Sequence, residues 1–426
     1  MGRFFKRERC LFGLLLLASL PHLASFANAE TSSFSLCSDS SKRYFFRELL
    51  GDLPQFPNTP AGSTVVSDVE VYDLNSRNEV AGSIEISPPN SSVRHIPFVW
   101  RSNQEGFLTF NRDLSNGIFY SHEGAFKLTD DRKIFGTILS DGTTVKPFFG
   151  YPTDTVADLE YFDSLEYLGV QTTRSGFTGA DETGRYASWN YQTTNFTSSY
   201  RAALLDRTAG GVTHVPVSPT ETARLNDVNR YGIAVGKIVD SSQHYTVDAR
   251  AIMIDSSGEV TNLQQTYLPA TAVRESSALE ILDSGKILVL GINQSGTADL
   301  WIVDIQIGTA RKVVSNYDSR FSVSFNDKEE IVFSTFSIRA YANVLLGDQS
   351  LRLEDITQLP AGRTISLNTA GAINNNSVIA GHFSEFDQDN HFLKEGAFIL
   401  SKCRRPGGGR IEPVGSAIGI EPFELP

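Results

Sequence analysis

One nine-residue unit recurs about every 50 residues and constrains the fold more than any other feature of the sequence. In each copy a turn of small polar residues runs directly into a short apolar strand. Six copies share this cadence: LNSRNEVAG (74–82), LTDDRKIFG (128–136), ADETGRYAS (180–188), VNRYGIAVG (228–236), FNDKEEIVF (325–333) and INNNSVIAG (373–381). A looser version with altered spacing, LDSGKILVLG, covers 282–291. A unit that returns at a regular interval indicates a repeat architecture.

Further short apolar runs follow each unit, separated by turn residues, and this spacing predicts a meander of antiparallel strands. One four-stranded sheet cannot bury both of its faces, whereas sheets arranged in a ring can, and the ring removes most exposed edges. The sequence therefore predicts an all-β fold, a β-propeller of seven four-stranded blades over residues 64–403. Six or eight blades stay open as alternatives because 282–291 fits the repeat poorly.

The two ends of the chain are predicted to lie outside the repeats. Residues 30–63 form an N-terminal extension, in which Ser41 caps a short helix over 41–53 and three prolines follow. Residues 404–426 begin with RRPGGGR and form either a flexible tail or a closing edge strand. A propeller ring commonly closes by a strand from one terminus that completes a blade begun by the other.

Residues 1–29 have the form of a signal peptide. A basic head precedes an apolar run at 11–20, Pro21 ends the run, and Ala27-Asn28-Ala29 offers a cleavage site. A membrane anchor is the alternative, but the run is short for a bilayer span. The sequence thus predicts a periplasmic or extracellular protein whose mature chain has no membrane span.

Charge narrows the classes of partner. The whole chain has a net charge of -12, and the predicted signal peptide carries +3, so the mature chain is near -15. An acidic surface repels phosphate backbones, which excludes nucleic acid as a partner. Recognition of a basic partner and a plain solubility role both fit this charge.

Two cysteines, Cys37 and Cys403, remain near the ends of the mature chain. In an oxidising compartment they are predicted to form a disulfide, which the closing of a ring would bring together. The chain-entropy estimate for so long a loop is about 5–6 kcal/mol. The alternative is two unrelated buried thiols.

The repeated unit resembles the bacterial extracellular HAF repeat, which reads Ile-Asn-x-x-Gly-x-Val-Val-Gly, a polar loop, and Arg-Ala-Phe-hydrophobic-Trp. VNRYGIAVG followed by RAIMI (250–254) is the nearest copy, and INNNSVIAG followed by GAFIL (396–400) is the second. The overall layout is similar to secreted gammaproteobacterial proteins that carry these repeats. The resemblance brings no catalytic residues. The chain departs from it where the turn glycine is replaced, at Asn78, Arg132, Glu329 and Ser377.

Motifs of known chemistry are missing from the sequence. There is no Gly-x-Ser-x-Gly elbow, no His-Glu-x-x-His pair and no phosphate-binding loop. Asp387 and Asp389 resemble the start of a calcium loop, but the glycine and the distal glutamate are missing, which favours an ordinary acidic hairpin tip. Aspartates recur at or beside the repeated turns, and recurrence favours a structural role over catalysis: Asp73, Asp130, Asp181, Asp283 and Asp327. No catalytic residue, metal or cofactor is predicted.

Aromatic residues supply the remaining candidates. Phe98, Phe148, Phe149 and Phe398 stand at repeated strand positions and are predicted to pack between blades. Four aromatics in the longer loops of the third and fourth units are the predicted ligand surface: Trp189, Tyr191, Tyr200 and Tyr245.

The sequence therefore favours a monomeric, secreted, non-enzymatic binding or scaffolding module for a protein or polysaccharide partner. The alternative is an extracellular polysaccharide hydrolase or lyase on a propeller scaffold. Convergent Asp, Glu or His at one end of the axial channel would indicate the enzyme, whereas Ser, Thr and Phe there would indicate the binder.

Overall fold

The computed structural model describes residues 37–49, 64–87, 94–101, 106–109, 124–139, 145–151, 160–162, 172–193, 200–240, 248–318, 322–336 and 340–403. These residues form 29 strands and two short helices, Leu263–Tyr267 and Leu353–Ile356. The predicted signal peptide, cleavage site and C-terminal tail lie outside the described residues. No helix in the described part of the chain is long and apolar enough to cross a membrane.

The strands are short and nearly all antiparallel. In chain order they are β1 Tyr44–Glu48, β2 Thr64–Leu74, β3 Val80–Ser87, β4 Arg94–Arg101, β5 Gly106–Thr109, β6 Gly124–Leu128, β7 Ile134–Leu139, β8 Val145–Gly150, β9 Glu160–Tyr161, β10 Thr172–Ala180, β11 Tyr186–Thr193, β12 Tyr200–Asp206, β13 Gly211–His214, β14 Glu221–Val228, β15 Ala234–Asp240, β16 Asp248–Ile254, β17 Val260–Asn262, β18 Glu275–Ile281, β19 Lys286–Ile292, β20 Ala298–Asp304, β21 Thr309–Tyr317, β22 Val323–Phe325, β23 Ile331–Phe336, β24 Ala340–Leu346, β25 Gln349–Arg352, β26 Thr357–Gln358, β27 Thr364–Ile373, β28 Ile379–Phe386 and β29 Phe392–Lys402.

Seven four-stranded meanders follow one another around a ring, which confirms the predicted seven-bladed propeller. We name them blades A to G: β2–β5, β6–β9, β10–β13, β14–β17, β18–β21, β22–β25, and β27–β29 with β1. The first strand of each blade is the innermost. The short strand β26 pairs in parallel with β1, and a single parallel bridge, Arg174 to Val145, joins blades B and C.

Every repeated unit makes the hairpin turn that follows the innermost strand. The fourth turn residue donates its N–H to the carbonyl of the first, as Asn78 does to Asn75 at 3.1 Å. This fourth residue has a left-handed backbone in all seven blades: Asn78, Arg132, Gly184, Gly232, Gly285, Glu329 and Ser377. A type I turn followed by a left-handed residue is a common hairpin connection. The four positions that lack the expected glycine therefore adopt the same backbone as the glycines.

Glycine is required at the end of several units by close packing against the innermost strand. A Cβ built at Gly236 would lie 2.0 Å from the Arg224 carbonyl oxygen, and one at Gly381 would lie 2.1 Å from that of Thr369. Both contacts fall beside a β-bulge in the innermost strand. Any side chain there would push the first two strands of the blade apart.

The core is divided into seven clusters, and each lies between two adjacent blades. Side chains on a strand alternate between faces, so Ile134 packs toward blade A while its neighbour Phe135 packs toward blade C. Phe98, Phe148, Phe149 and Phe398 all belong to these clusters, which confirms their predicted packing between blades. No blade covers its own faces, so the ring is what buries them.

The first and last segments of the described chain meet at blade G. Strand β1 is its fourth strand from the axis and pairs antiparallel with β29, from Tyr44 opposite Lys402 to Glu48 opposite Phe398. Cys37 and Cys403 form a disulfide beside this pairing, with their Cα atoms 5.4 Å apart, which confirms the predicted bond. We call the β1–β29 pairing and the disulfide the clasp.

The helix predicted over 41–53 is wrong, because Tyr44–Glu48 is a strand. Tyr44 and Phe46 are buried while Arg47 is exposed, which is the two-residue alternation of a sheet. Pairing with β29 decides the conformation. This strand lies within residues 30–63, the range that the sequence assigns to the extension.

The altered spacing of 282–291 has a simple origin. In the structure the fifth unit begins one residue earlier, because Ile281 ends the innermost strand and Leu282 opens the turn. The other six blades place Asn, Thr or Asp at that turn position. Blade E keeps the common backbone geometry with a leucine instead.

Candidate functional site

The carboxyl ends of the seven innermost strands converge on a cavity at one end of the propeller axis. We call this cavity of about 120 Å³ the axial mouth. All seven blades contribute to its wall. Among the lining residues are eight carboxylates and one lysine: Asp73, Asp130, Asp181, Glu182, Asp227, Glu280, Asp283, Asp327 and Lys127. The mouth is therefore strongly acidic and has room for several water molecules or one side chain.

The deepest layer comes from the residue before the last apolar residue of each innermost strand. We call it the inner ring; around the axis it reads Asp73, Lys127, Gly179, Asp227, Glu280, Ser324 and Ala372. Its three carboxylates accept the backbone N–H of the next blade. The bonds run from Leu128 to Asp73 at 2.7 Å, from Ile281 to Asp227 at 3.0 Å and from Phe325 to Glu280 at 3.0 Å. The inner-ring carboxylates thus join neighbouring blades.

Lys127 is the one cation of the inner ring. Its Nζ lies 3.6 Å from an Asp73 carboxylate oxygen, and both side chains are mostly buried. Burial acts to lower the pKa of Lys127, but the surrounding inner-ring carboxylates outweigh burial and hold that pKa above its ordinary range. The ammonium is therefore charged and acts as a tethered counterion within the mouth.

The other two inner-ring carboxyls, Asp227 and Glu280, have raised pKa values. Burial first, and then the nearby Asp227 carboxylate, raise the pKa of Glu280 to about 8. Burial likewise raises the pKa of Asp227 to about 6. Lys127 opposes both shifts without cancelling them. The inner ring therefore holds more negative charge than its single lysine neutralises, and part of it is relieved by protonation near neutral pH.

A second layer of hydrogen bonds lies in the turns. Each first turn residue except Leu282 caps its own turn; the Asn374 side-chain oxygen, for example, accepts from Asn376 and Val378 at 3.0 Å each. The Asn374 amide also donates to the Asn75 carbonyl at 2.8 Å, which links blade G to blade A. Asn75, Asn229 and Asn326 donate to their next blades in the same way.

The outermost layer, which we call the rim, consists of the second turn residues. Asp130 accepts the Ser76 N–H at 2.9 Å and Asp283 accepts the Arg230 N–H at 3.0 Å, again from one blade to the next. Glu182 is different, because its carboxylate has no hydrogen-bond or ion-pair partner among the described residues. Burial, and then the charges of Asp130, Asp283 and Asp327, raise the pKa of Glu182 against the opposing charge of Lys127. The Arg230 guanidinium pairs with Asp283 at 3.3 Å and relieves part of the repulsion among the rim carboxylates, whereas Glu182 has no such cation beside it among the described residues.

The predicted aromatic candidates do not come together. Trp189 and Tyr191 lie in strand β11, not in a loop, and both are buried. Trp189 packs with Phe162 and Phe177 in the core between blades B and C, and the Tyr191 hydroxyl lies 3.0 Å from His214 Nδ1. Their placement in loops is thus wrong, since the two-residue alternation of β11 turns both rings inward.

Tyr200 begins strand β12, and its ring stacks against the Arg224 guanidinium at 3.9 Å. Tyr245 lies outside the described residues. A ligand surface built from the four aromatics stays a prediction.

The acidic hairpin tip is a capped turn. Asp387 accepts the backbone N–H groups of Asp389 and His391 at 2.9 and 2.8 Å. One ligand atom from each of these three residues lies within 4.8 Å of the others, in an exposed position. The hydrogen bonds are those of a hairpin turn, in line with the structural role favoured from the sequence.

Sequence reasoning missed Lys127, Asp227 and Glu280. The signal was present, since each directly precedes the last apolar residue of an innermost strand. Aligning the units by that apolar residue places all seven inner-ring residues in one column. The one-residue shift of the fifth unit hid Glu280 from this column.

No family model matches the sequence, and no curated protein matches it. Solved structures match at low identity. An oligogalacturonate lyase from Vibrio parahaemolyticus is 9% identical with a TM-score of 0.51, over 84% of this chain and 97% of that one. The β-propeller domain of the trilobed protease from Pyrococcus furiosus, which has an open velcro topology, is 8% identical with a TM-score of 0.49, over 79% and 98%. TolB from Acinetobacter baumannii is 12% identical with a TM-score of 0.40, over 64% of this chain and 63% of TolB. The likeness to the lyase supports the fold alone.

Proposed function

We propose that the chain is an exported, non-enzymatic binding propeller whose axial mouth takes a basic side chain from a partner protein. The observation that carries this proposal is the charge of the mouth, where eight carboxylates face a single lysine. A cleft lined by charges of one sign attracts ligands of the other sign and speeds their association. Anionic polysaccharides are disfavoured at this site for the same reason.

The size of the mouth supports a side chain as the ligand. Its volume of about 120 Å³ is well below the roughly 300–1,000 Å³ of most small-molecule sites. A lysine or arginine side chain presented by an extended segment fits such a space. Its charge would meet Glu182, the rim carboxylate that has no other partner among the described residues.

The enzyme alternative meets the criterion set from the sequence, because carboxylates do converge at one end of the axial channel. The raised pKa of Glu280 is typical of a general acid. Against it, Asp73, Asp227 and Glu280 each accept an N–H from the next blade, so all three have a recurring structural task. The mouth is also too small to hold a polymer substrate. We therefore favour the binding module.

The clasp supports the proposal of export. A disulfide between the two ends of the chain forms and persists in an oxidising compartment. We propose that residues 1–29 act as a signal peptide and that the seven units are HAF-type repeats of a monomeric periplasmic or extracellular protein.

The test is a titration of the mature protein with a short acetylated peptide that carries one arginine, and with the same peptide carrying glutamine. Calorimetry should detect binding of the arginine peptide alone, and the affinity should fall as salt rises. Glu182→Gln should weaken binding about fivefold. Glu259→Gln, an exposed carboxylate on the turn after β16, is the matched control and should leave binding unchanged.

Equal binding of the two peptides would contradict a charge-based site. Hydrolysis or elimination of a polysaccharide that Glu280→Gln abolishes and Glu182→Gln spares would replace the binding proposal with the enzyme.

A further inference from the structure

A second cavity lies at the clasp, remote from the axial mouth in both position and chemistry. It has a volume of about 370 Å³ and lies between blade F and the two strands β1 and β29. We call it the clasp pocket; it is lined by Lys42, Arg43, Tyr44, Glu330, Leu346, Lys402 and Cys403. Its size falls within the range of small-molecule sites.

The clasp pocket is basic, although the whole chain carries a net charge of -12. Three cations face one carboxylate. The Lys402 ammonium lies 3.3 Å from Glu330 and is half exposed, and the Lys42 ammonium donates to the Asp355 carbonyl at 2.8 Å. The Arg43 guanidinium has no ion-pair partner among the described residues. A positive charge in excess is therefore available to a ligand.

Tyr44 is the second, independent feature of this pocket. Its side chain is only 1% exposed, yet its hydroxyl has no hydrogen-bond partner among the described residues. Buried hydroxyls nearly always have a partner, and a buried hydroxyl without one destabilises the folded state. Burial holds the pKa of Tyr44 above its ordinary range, so the hydroxyl keeps its proton and remains a donor.

We infer that the clasp pocket binds a small organic acid, whose oxyanion lies between Arg43 and Lys402 and accepts a hydrogen bond from the Tyr44 hydroxyl. A guanidinium presents a planar fork that matches a carboxylate or a phosphate. Leu346 supplies an apolar wall for the body of the ligand. The volume exceeds the needs of a bare ion, which favours an acid of about the size of a sugar.

The site also has a structural consequence. Its walls come from β1, β29 and blade F, so a bound acid would hold together the three parts that close the ring. Binding to the folded state alone raises the unfolding temperature. Ligand binding and ring closure should therefore stabilise each other.

The experiment uses the mature, disulfide-bonded protein and two probes, D-glucuronate and inorganic phosphate, with D-glucose as the neutral match for glucuronate. Glucuronate is expected to bind in calorimetry and to raise the midpoint of thermal unfolding, whereas glucose should do neither. Phosphate, which offers the oxyanion without the sugar body, should bind more weakly than glucuronate.

Variants locate the site. Tyr44→Phe should weaken glucuronate binding about tenfold, and should raise the unfolding temperature of the free protein because it removes an unsatisfied buried hydroxyl. Arg43→Gln should weaken binding by about tenfold. The matched control for Lys402→Gln is Lys312→Gln, because Lys312 has the same exposure and lies 3.4 Å from its partner Asp299. Only the Lys402 variant should reduce binding.

Failure of both glucuronate and phosphate to bind would overturn the inference and would assign the Tyr44 hydroxyl to a buried water. Binding that survives both Tyr44→Phe and Arg43→Gln would place the acid elsewhere and would overturn it equally.

Discussion

The axial mouth and the clasp pocket differ in every property that matters for binding. The mouth is acidic, small and built seven times over from the same turn, whereas the clasp pocket is basic, about three times larger and built once. In the mouth most polar groups already join one blade to the next. In the clasp pocket the Tyr44 hydroxyl has no hydrogen-bond partner and the Arg43 guanidinium has no ion-pair partner among the described residues.

The axial mouth is a product of the repeated turn, whereas the clasp pocket is a product of ring closure. A repeated turn places equivalent groups around the axis, so a site there can vary only by substitution within one pattern. The meeting of the two chain ends has no equivalent elsewhere in the ring. A singular pocket can therefore arise at the clasp without disturbing the repeat.

The largest expected effect comes from breaking the clasp with Cys403→Ser, for which the chain-entropy estimate is about 5–6 kcal/mol of the free energy of unfolding. The variant should lose glucuronate binding at the clasp pocket while it keeps arginine-peptide binding at the mouth. Denaturant unfolding and the two titrations measure this. Equal loss of both activities would mean that the two sites are not independent.

A smaller effect is expected from Lys127→Met in the mouth. It leaves the Asp73 carboxylate without its counterion in a mostly buried site, which should cost about 3 kcal/mol in the free energy of unfolding. Lys133→Met is the matched control, since the Lys133 side chain is equally exposed but its partner Asp131 is half exposed. The control should cost less than about 1 kcal/mol. Equal costs in urea unfolding would remove the counterion role of Lys127.

The turn caps give a third test. Asn374→Ala removes the cap of one turn and the bond to Asn75 across the junction of blades G and A, at about 2 kcal/mol. Asn326→Ala removes the same pair of interactions between blades F and G and is expected to cost the same. A much larger cost for Asn374→Ala than for Asn326→Ala, measured by thermal unfolding, would mean that the junction of blades G and A contributes more to stability than the junction of blades F and G.

The fourth test is a pH dependence. Because the pKa of Glu280 in the folded protein is raised to about 8, the folded state binds more protons than the unfolded state between about pH 4.5 and pH 8. The contribution of Glu280 to stability is therefore full below that window and is lost as the pH rises through it. Glu280→Gln should remove most of this fall, as measured by urea unfolding at pH 5 and pH 8. An unchanged slope would assign the dependence to Asp227.

The sequence predicted the features that repeat. The nine-residue unit located every blade, and the predicted start of the propeller at residue 64 coincides with the start of β2. Leu282 misled the alignment because an apolar residue opens its turn, although the backbone there follows the common geometry. Trp189 and Tyr191 were misplaced because their strand has aromatic residues on the buried face.

The features that depend on contacts between distant residues could not be predicted. Tyr44–Glu48 has a composition that suits a helix or a strand, and only its pairing with β29, more than 300 residues away, decides between them. The clasp pocket follows from that same pairing. The disulfide was predictable because a thiol at each end of a ring has few other partners.

The pairing of Tyr44 with Lys402 also sets an order of events in the life of the chain. During synthesis the first strand leaves the ribosome long before its neighbour exists, and it must wait with its edge unsatisfied until residue 402 has been made. The ring can close only after the chain has been synthesised as far as residue 402. A product truncated before that point is left with an incomplete seventh blade that is open to proteases.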